Sequence, residues 1–171
     1  MAEISASYPA PHAMTEEWFL AEIALNPVPV HELMASLEDL RAHGKTDLAE
    51  AWAELLQDTL AERKLQDEAL GVLETRIRWA AAAGRPGKGW AQEAMDVCGT
   101  TWDQKALLDE AGFEKSIAPA ESVRRLRLLR RLKEGVLCYD RTWGLGVVRR
   151  LDGFYKRVEI DFEHKLGHQL S

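Results

Sequence analysis

The sequence predicts an α+β protein in which a helical region, residues 14–133, precedes a small β module, residues 134–171. Two observations carry this prediction. Apolar residues recur three to four positions apart as far as Lys133, which is typical of amphipathic helices. After Lys133 apolar and polar residues alternate, and glycines and turn residues divide the segment into short runs, as in β-strands. Residues 1–13, with Pro9 and Pro11, are expected to form a flexible arm.

Turn signals divide the helical region into seven predicted helices. The ranges are 14–25, 29–43, a third beginning at 46 or 47, 62–83, 90–98, 101–110 and 119–133. Thr15 is placed to cap the first helix, and Asn26-Pro27 ends it because a residue before proline avoids helical geometry. Short loops between the helices indicate antiparallel hairpins, and a stacked array of the tetratricopeptide or HEAT kind is one such arrangement.

The net charge of −6 is unevenly distributed along the chain. Residues 1–114 hold 9 Lys and Arg against 21 Asp and Glu, whereas residues 115–171 hold 13 against 7. A basic C-terminal third on an acidic body indicates an anionic partner, or an acidic protein surface, for that third. The alternative is that the two parts of the chain attract each other.

Several function classes find no support in the sequence. No run approaches the ~18 apolar residues of a membrane span, and the N-terminus has neither the basic nor the apolar part of a signal peptide. Cys98 and Cys138 are expected to be two buried thiols in a reducing cytoplasm. His164 and His168 are four apart, but they fall in a predicted turn and strand, where that spacing does not converge on a metal. With no catalytic motif present, we predict neither an enzyme nor a cofactor.

The last predicted helix carries a ridge of arginines. Arg124, Arg127 and Arg131 fall within about 60° of one another on a helical wheel, and leucines occupy the other side. The ridge is either a solvated face near acidic helices or a contact for nucleic acid phosphates or an acidic partner.

The β module is predicted to contain three strands, at 135–140, 143–152 and 154–163, and a final strand at 169–171 that the chain end cuts short. Asp152-Gly153 is typical of a tight hairpin, and residues 164–168 are expected to form a turn. Gly144 and Gly146 indicate a bulge or sharp bend in the second strand. Short, curved strands in so few residues favour an SH3-like barrel.

The motifs "GVLCYDRTWGLGVV" and "VEIDFE" resemble a Tudor/KOW-like barrel of bacterial transcription-linked proteins. Such a module occurs at the C-terminus of UvrD/PcrA-type helicases and is similar to the polymerase-interacting domain of CarD-type factors. The fuller run, residues 139–171, is most similar to a segment in the long N-terminal extension of Gre-type transcript-cleavage factors. The resemblance covers residues 135–171.

This resemblance implies that the module docks on RNA polymerase or an associated factor, with nucleic acid as a further contact, and that the chain is the N-terminal region of a longer elongation factor. It does not imply transcript cleavage, because the acidic coiled-coil tip that performs it in Gre factors has no counterpart here. Position along the module and the pairing of arginine with aromatic residues give the candidate contacts. They are Arg141, Trp143, Arg149, Arg150, Tyr155, Lys156 and Arg157.

Two of these candidates differ in their expected placement. Trp143 is as consistent with the barrel core as with the surface, whereas Tyr155 is out of phase with the apolar positions of its strand and is expected to be exposed. Two further functions stay open. One is a nucleic-acid-binding module that uses the arginine helix and the barrel, and the other is a helical-repeat scaffold that the barrel caps.

Overall fold

A computed structural model describes residues 14–85, 87, 89–99, 102–113, 115, 117–152 and 157–170. Within these residues seven helices precede a four-stranded antiparallel sheet, which confirms the predicted α+β order. The helices are α1 Glu16–Ile23, α2 Val30–Ala42, α3 Thr46–Glu62, α4 Gln66–Ala82, α5 Trp90–Cys98, α6 Trp102–Ala111 and α7 Pro119–Arg131. The strands are β1 Leu137–Asp140, β2 Gly144–Asp152, β3 Arg157–Phe162 and β4 Lys165–Leu170. The chain divides into two compact units, Met1–Arg125 and Leu126–Ser171.

The helical unit is built on successive helices that pack against one another. Thr15 caps α1 as predicted, since its Oγ1 accepts a hydrogen bond from the backbone N–H of Trp18 at 3.2 Å. From α2 to α6 each helix contacts the next, as short connections favour. The ring of Phe19 stacks on Trp52 with 4.7 Å between centroids. The largest fully buried side chains of this unit include leucines from three helices, namely Leu33, Leu37, Leu40, Leu56, Leu60, Leu70 and Leu73.

The predicted start of the fourth helix at residue 62 is wrong. In the structure α3 continues to Glu62 and α4 begins only at Gln66. Lys64 has a φ of 64°, in the left-handed region, and the N–H of Leu65 bonds back to the carbonyl of Leu60 at 2.9 Å. This left-handed residue ends one helix and redirects the chain into the next.

The sheet of the second unit has the strand order β1-β2-β3-β4, with each strand antiparallel to the next. Val148, Ile160 and Phe162 form its buried core, so the apolar positions of the third strand face inward. Partly buried side chains complete this core, namely Leu132, Cys138, Trp143, Leu151 and Val158. In the described part of the chain β1 and β4 are the two edges, so the sheet is not closed into a barrel.

Two features of the sheet differ from the prediction. The irregularity in β2 lies between Val148 and Arg150 rather than at the glycines. Gly146 instead permits close packing, because a Cβ there would lie 2.6 Å from Phe162 and 2.7 Å from Ile160.

The final strand is also longer than expected. β4 already begins at Lys165, so most of the predicted turn at 164–168 is strand, and Glu163 and His164 alone form the turn. The predicted hairpin turn after Asp152 lies outside the described residues.

Candidate docking surface

The outer face of the sheet carries an exposed apolar patch formed by Leu137, Tyr139 and Leu145. Leu137 and Tyr139 are two residues apart on β1, and Tyr139 lies directly opposite Leu145 of β2, so the three side chains share one face. They are 70%, 72% and 61% exposed. Single exposed leucines are ordinary on protein surfaces, whereas neighbouring exposed apolar side chains are typical of interaction sites. We call these three residues the outer apolar patch.

The alternation of β1 explains why this patch faces outward. Cys138, between the two exposed residues, turns to the opposite face and packs against the core of the sheet. Burial raises the pKa of its thiol, and the nearby Asp140 carboxylate raises it further, so the thiol is not activated as a nucleophile. Since β1 can bury only one of its two faces in this single sheet, Leu137 and Tyr139 stay in solvent.

β1 is also an edge strand in the described sheet. Leu145, opposite Tyr139, lies on β2, and its carbonyl accepts the N–H of Glu163, in the turn after β3, at 3.3 Å. Two of the three residues of the outer apolar patch, Leu137 and Tyr139, therefore lie on the edge strand, and Leu145 lies on the strand beside it. An edge strand with large apolar side chains is a preferred contact for other polypeptides.

The turn after β1 is ordered by its aspartate. One carboxylate oxygen of Asp140 accepts hydrogen bonds from the backbone N–H groups of Thr142, at 2.7 Å, and Trp143, at 3.0 Å. This fixed turn holds the exposed Arg141 directly beyond the patch.

Arg149, Arg150 and Arg157 are exposed, as docking requires. The Nε of Arg149 donates to the Oδ2 of Asp161 at 2.6 Å across the β2–β3 pair. The pKa of Asp161 is lowered, first by the backbone N–H of Gly167 at 2.7 Å and then by Arg149. Arg149 is thus partly neutralised by this ion pair, which reduces what it offers to an anionic surface.

Trp143 lies half-buried against the core of the sheet rather than on the open surface. The Nζ of Lys165 sits 4.0 Å from the centroid of its ring, and the ring of His168 lies 5.4 Å away. One face of the indole is therefore covered by the chain's own lysine. Tyr155 and Lys156 lie outside the described residues.

Ion pairs within α7 engage part of the arginine ridge. Glu121 accepts hydrogen bonds from Arg124 at 2.8 Å and Arg125 at 3.0 Å, and these bonds lower the pKa of Glu121 to about 2. Arg127 is half-buried and Arg131 is exposed. Arg124 of the ridge is therefore paired within its own helix, which reduces the charge that the ridge offers to phosphates.

Sequence reasoning missed the outer apolar patch. The run Leu137-Cys138-Tyr139 was a usable signal, because a strand with apolar residues on both faces exposes some of them when only one face is covered. The sequence did not show which of the two faces is covered.

Comparisons with protein-family models, with curated proteins and with solved structures find no match for this chain. In the described residues no group of three metal-binding side chains comes together. The helices described here are too short or too polar to cross a membrane.

Proposed function

We propose that this chain is a non-enzymatic module that docks on RNA polymerase through its C-terminal unit, as the N-terminal region of a transcription elongation factor. The observation that carries the proposal is the outer apolar patch, which lies on the same small sheet as the exposed Arg141, Arg149, Arg150 and Arg157. The resemblance of residues 135–171 to polymerase-linked modules supports the choice of partner.

The composition of this surface favours a protein partner over nucleic acid alone. Protein interfaces are enriched in Tyr and Arg, and their centre is apolar. Phosphate recognition needs basic groups without an apolar centre, and Arg124 and Arg149 are already paired with carboxylates. The Leu126–Ser171 unit still holds ten Lys and Arg against six Asp and Glu, which suits an acidic polymerase surface.

The proposal extends to the fold and the location of the chain. We assign the four strands to an SH3-like, Tudor-type module and the helical unit to a stacked array of the tetratricopeptide or HEAT kind. Polymerase docking places the chain in the cytoplasm. The free thiols of Cys98 and Cys138 agree with that compartment.

Capture of RNA polymerase from the organism that encodes the chain tests the proposal. Two variants remove the proposed contacts: Tyr139→Ser with Leu145→Ser, and Arg141→Glu with Arg150→Glu. Matched controls make the same changes on exposed residues of the helical unit, at Leu20 and Leu55 and at Lys45 and Lys115. We expect capture by the parent chain and both controls, and a loss of about tenfold or more in the sheet variants, since interface anchors each contribute ~2 kcal/mol or more.

Nuclease treatment and salt separate the alternatives. Capture that disappears after nuclease, or binding of bare duplex DNA that falls by ~0.9 log units per tenfold rise in salt for each phosphate, would favour nucleic acid instead. Loss of polymerase in the helical controls but not in the sheet variants would contradict the proposed surface.

A further inference from the structure

A second candidate site lies in the helical unit, which holds none of the residues of the proposed docking surface. A cavity of about 420 Å³ opens between α3, α4 and α5, within the size range of ligand pockets. Its walls combine apolar and charged side chains, namely Glu50, Ala51, Glu54, Arg76, Ala80, Arg85, Gly87 and Trp90. Nothing in the polymerase proposal uses this cavity.

The apolar wall is an indole held by its neighbours. Trp90 is half-exposed, whereas Trp52 and Trp79 are buried in the core. Gly87 lies so close to Trp90 that a Cβ added to Gly87 would overlap the Nε1 atom of this indole. Ala51 and Ala80 leave space on the other sides of the cavity. The cavity therefore presents an aromatic surface and room beside it for an aliphatic side chain.

The basic groups of the cavity are already engaged. The guanidinium of Arg76, only 12% exposed, donates to Glu93 at 2.6 Å and to Gln57 at 2.8 Å, and it lies 3.3 Å from Glu54. Arg85 is paired with Glu50. An anionic ligand would have to displace carboxylates from both arginines, so anion binding is disfavoured here.

The carboxylates keep spare acceptor capacity. An ionised carboxylate offers about four lone-pair sites, and Glu54, which is 62% exposed, contacts Arg76 through one oxygen. Asp47 and Asp58 lie on the same face of α3 as Glu50 and Glu54. The pKa of Asp58 is raised, chiefly by partial burial and next by Glu54, which is consistent with an excess of negative charge along this face.

We propose that this cavity binds an arginine side chain of a partner polypeptide. The guanidinium donates to Glu54 and Glu50, and its plane and aliphatic stem lie against Trp90. The partner is a basic peptide segment, because the free acceptors, the aromatic wall and the acidic face of α3 all match a cation with an apolar stem. The Cζ of Arg76 already lies 5.8 Å from the Trp90 ring centroid, so this ring has one guanidinium of the chain itself within cation–π distance.

The test uses the whole chain and three blocked tripeptides, Gly-Arg-Gly, Gly-citrulline-Gly and Gly-Glu-Gly. Citrulline has the shape of arginine without its charge. Binding is followed in ¹H–¹⁵N spectra through the Trp90 indole N–H and the amides of Glu50 and Glu54. We expect the arginine peptide to shift these signals and the citrulline peptide to bind about tenfold more weakly or not at all.

Two variants then locate the site by different means. Glu54→Gln removes charge, and Ala80→Leu fills the cavity without changing charge, so each is expected to weaken binding of the arginine peptide about tenfold or more. Glu38→Gln, an exposed change on α2, is the matched control and should leave binding unchanged. Helix content from circular dichroism shows whether each variant is folded, and the peptide series on the parent chain is decisive without them.

Four results would overturn this inference. They are equal binding of the arginine and citrulline peptides, tighter binding of the glutamate peptide, unchanged binding in both folded variants, and no shift of the cavity signals at millimolar peptide. None of them bears on polymerase capture by the sheet, so this inference and the proposed function fail separately.

Discussion

Replacement of Gly146 by alanine tests the packing of the C-terminal sheet. An added Cβ would lie 2.6 Å and 2.8 Å from two ring carbons of Phe162, and 2.7 Å from the Cγ2 of Ile160. Both neighbours are buried, at 2% and 4% exposure, so neither can rotate into solvent. Gly146 has ordinary extended backbone, which means that the cost of the new methyl is steric rather than conformational.

The expected change in the stability of the sheet is the net result of two opposing effects. Overpacking of a core costs about 1–3 kcal/mol, whereas a glycine-to-alanine change in permitted backbone stabilises by about 0.4–1 kcal/mol through the unfolded chain. We expect a net loss of about 1–2 kcal/mol in the stability of the sheet. Native-state hydrogen exchange measures this unit by itself, and amides such as that of Val148 should exchange about 5–30 times faster.

Two comparisons make the result specific. Leu145→Ala, on the exposed face of the same strand, should change the free energy of opening measured by hydrogen exchange by less than ~0.5 kcal/mol. Phe162→Leu combined with Gly146→Ala should cost less than the two changes added together, because the smaller side chain relieves the overlap. Unchanged or slower exchange in Gly146→Ala would refute the packing argument.

Three further predictions concern charged groups. Glu121 should titrate near pH 2 in an NMR titration. The stability that its ion pairs give to α7 is therefore complete above its ordinary pKa of 4.5 and is lost as the pH falls towards 2. Titration at 4.5 would contradict the pairing with its arginines. Arg149→Gln should raise the pKa of Asp161 yet leave it below its ordinary value, because the stronger backbone hydrogen bond remains. Arg76→Met should cost about 1–3 kcal/mol in chemical denaturation, since it leaves the buried Gln57 without this donor; a neutral change would show that the amide finds another partner.

The order of the helices and strands was predictable from the sequence. It depends on the local spacing of apolar residues and on the glycines, prolines and other turn residues that separate the runs. The Thr15 cap and the inward face of Val158, Ile160 and Phe162 each follow from a few neighbouring residues. A break between α3 and α4 was predictable, but its position at Lys64 was not, because the left-handed residue is not a glycine.

The candidate site was harder to predict because it depends on tertiary placement. The exposure of Arg141, Arg149 and Arg150 agrees with expectation, since charged residues rarely lie inside. The exposure of Tyr139 and the half-burial of Trp143 depend on which face of an open sheet is covered, and the sequence is apolar on both faces there. The Trp90 cavity likewise needs three helices and a loop to come together.

The most direct test of polymerase docking places a photo-crosslinking phenylalanine at position 139 of the whole chain and, as a control, at position 20 of the helical unit. Both positions hold exposed apolar side chains, so the probe disturbs neither core. The proposal predicts a crosslink from position 139 to one surface of RNA polymerase, retained after nuclease treatment, and little or none from position 20. No crosslink from position 139, or equal crosslinks from both positions, would contradict it.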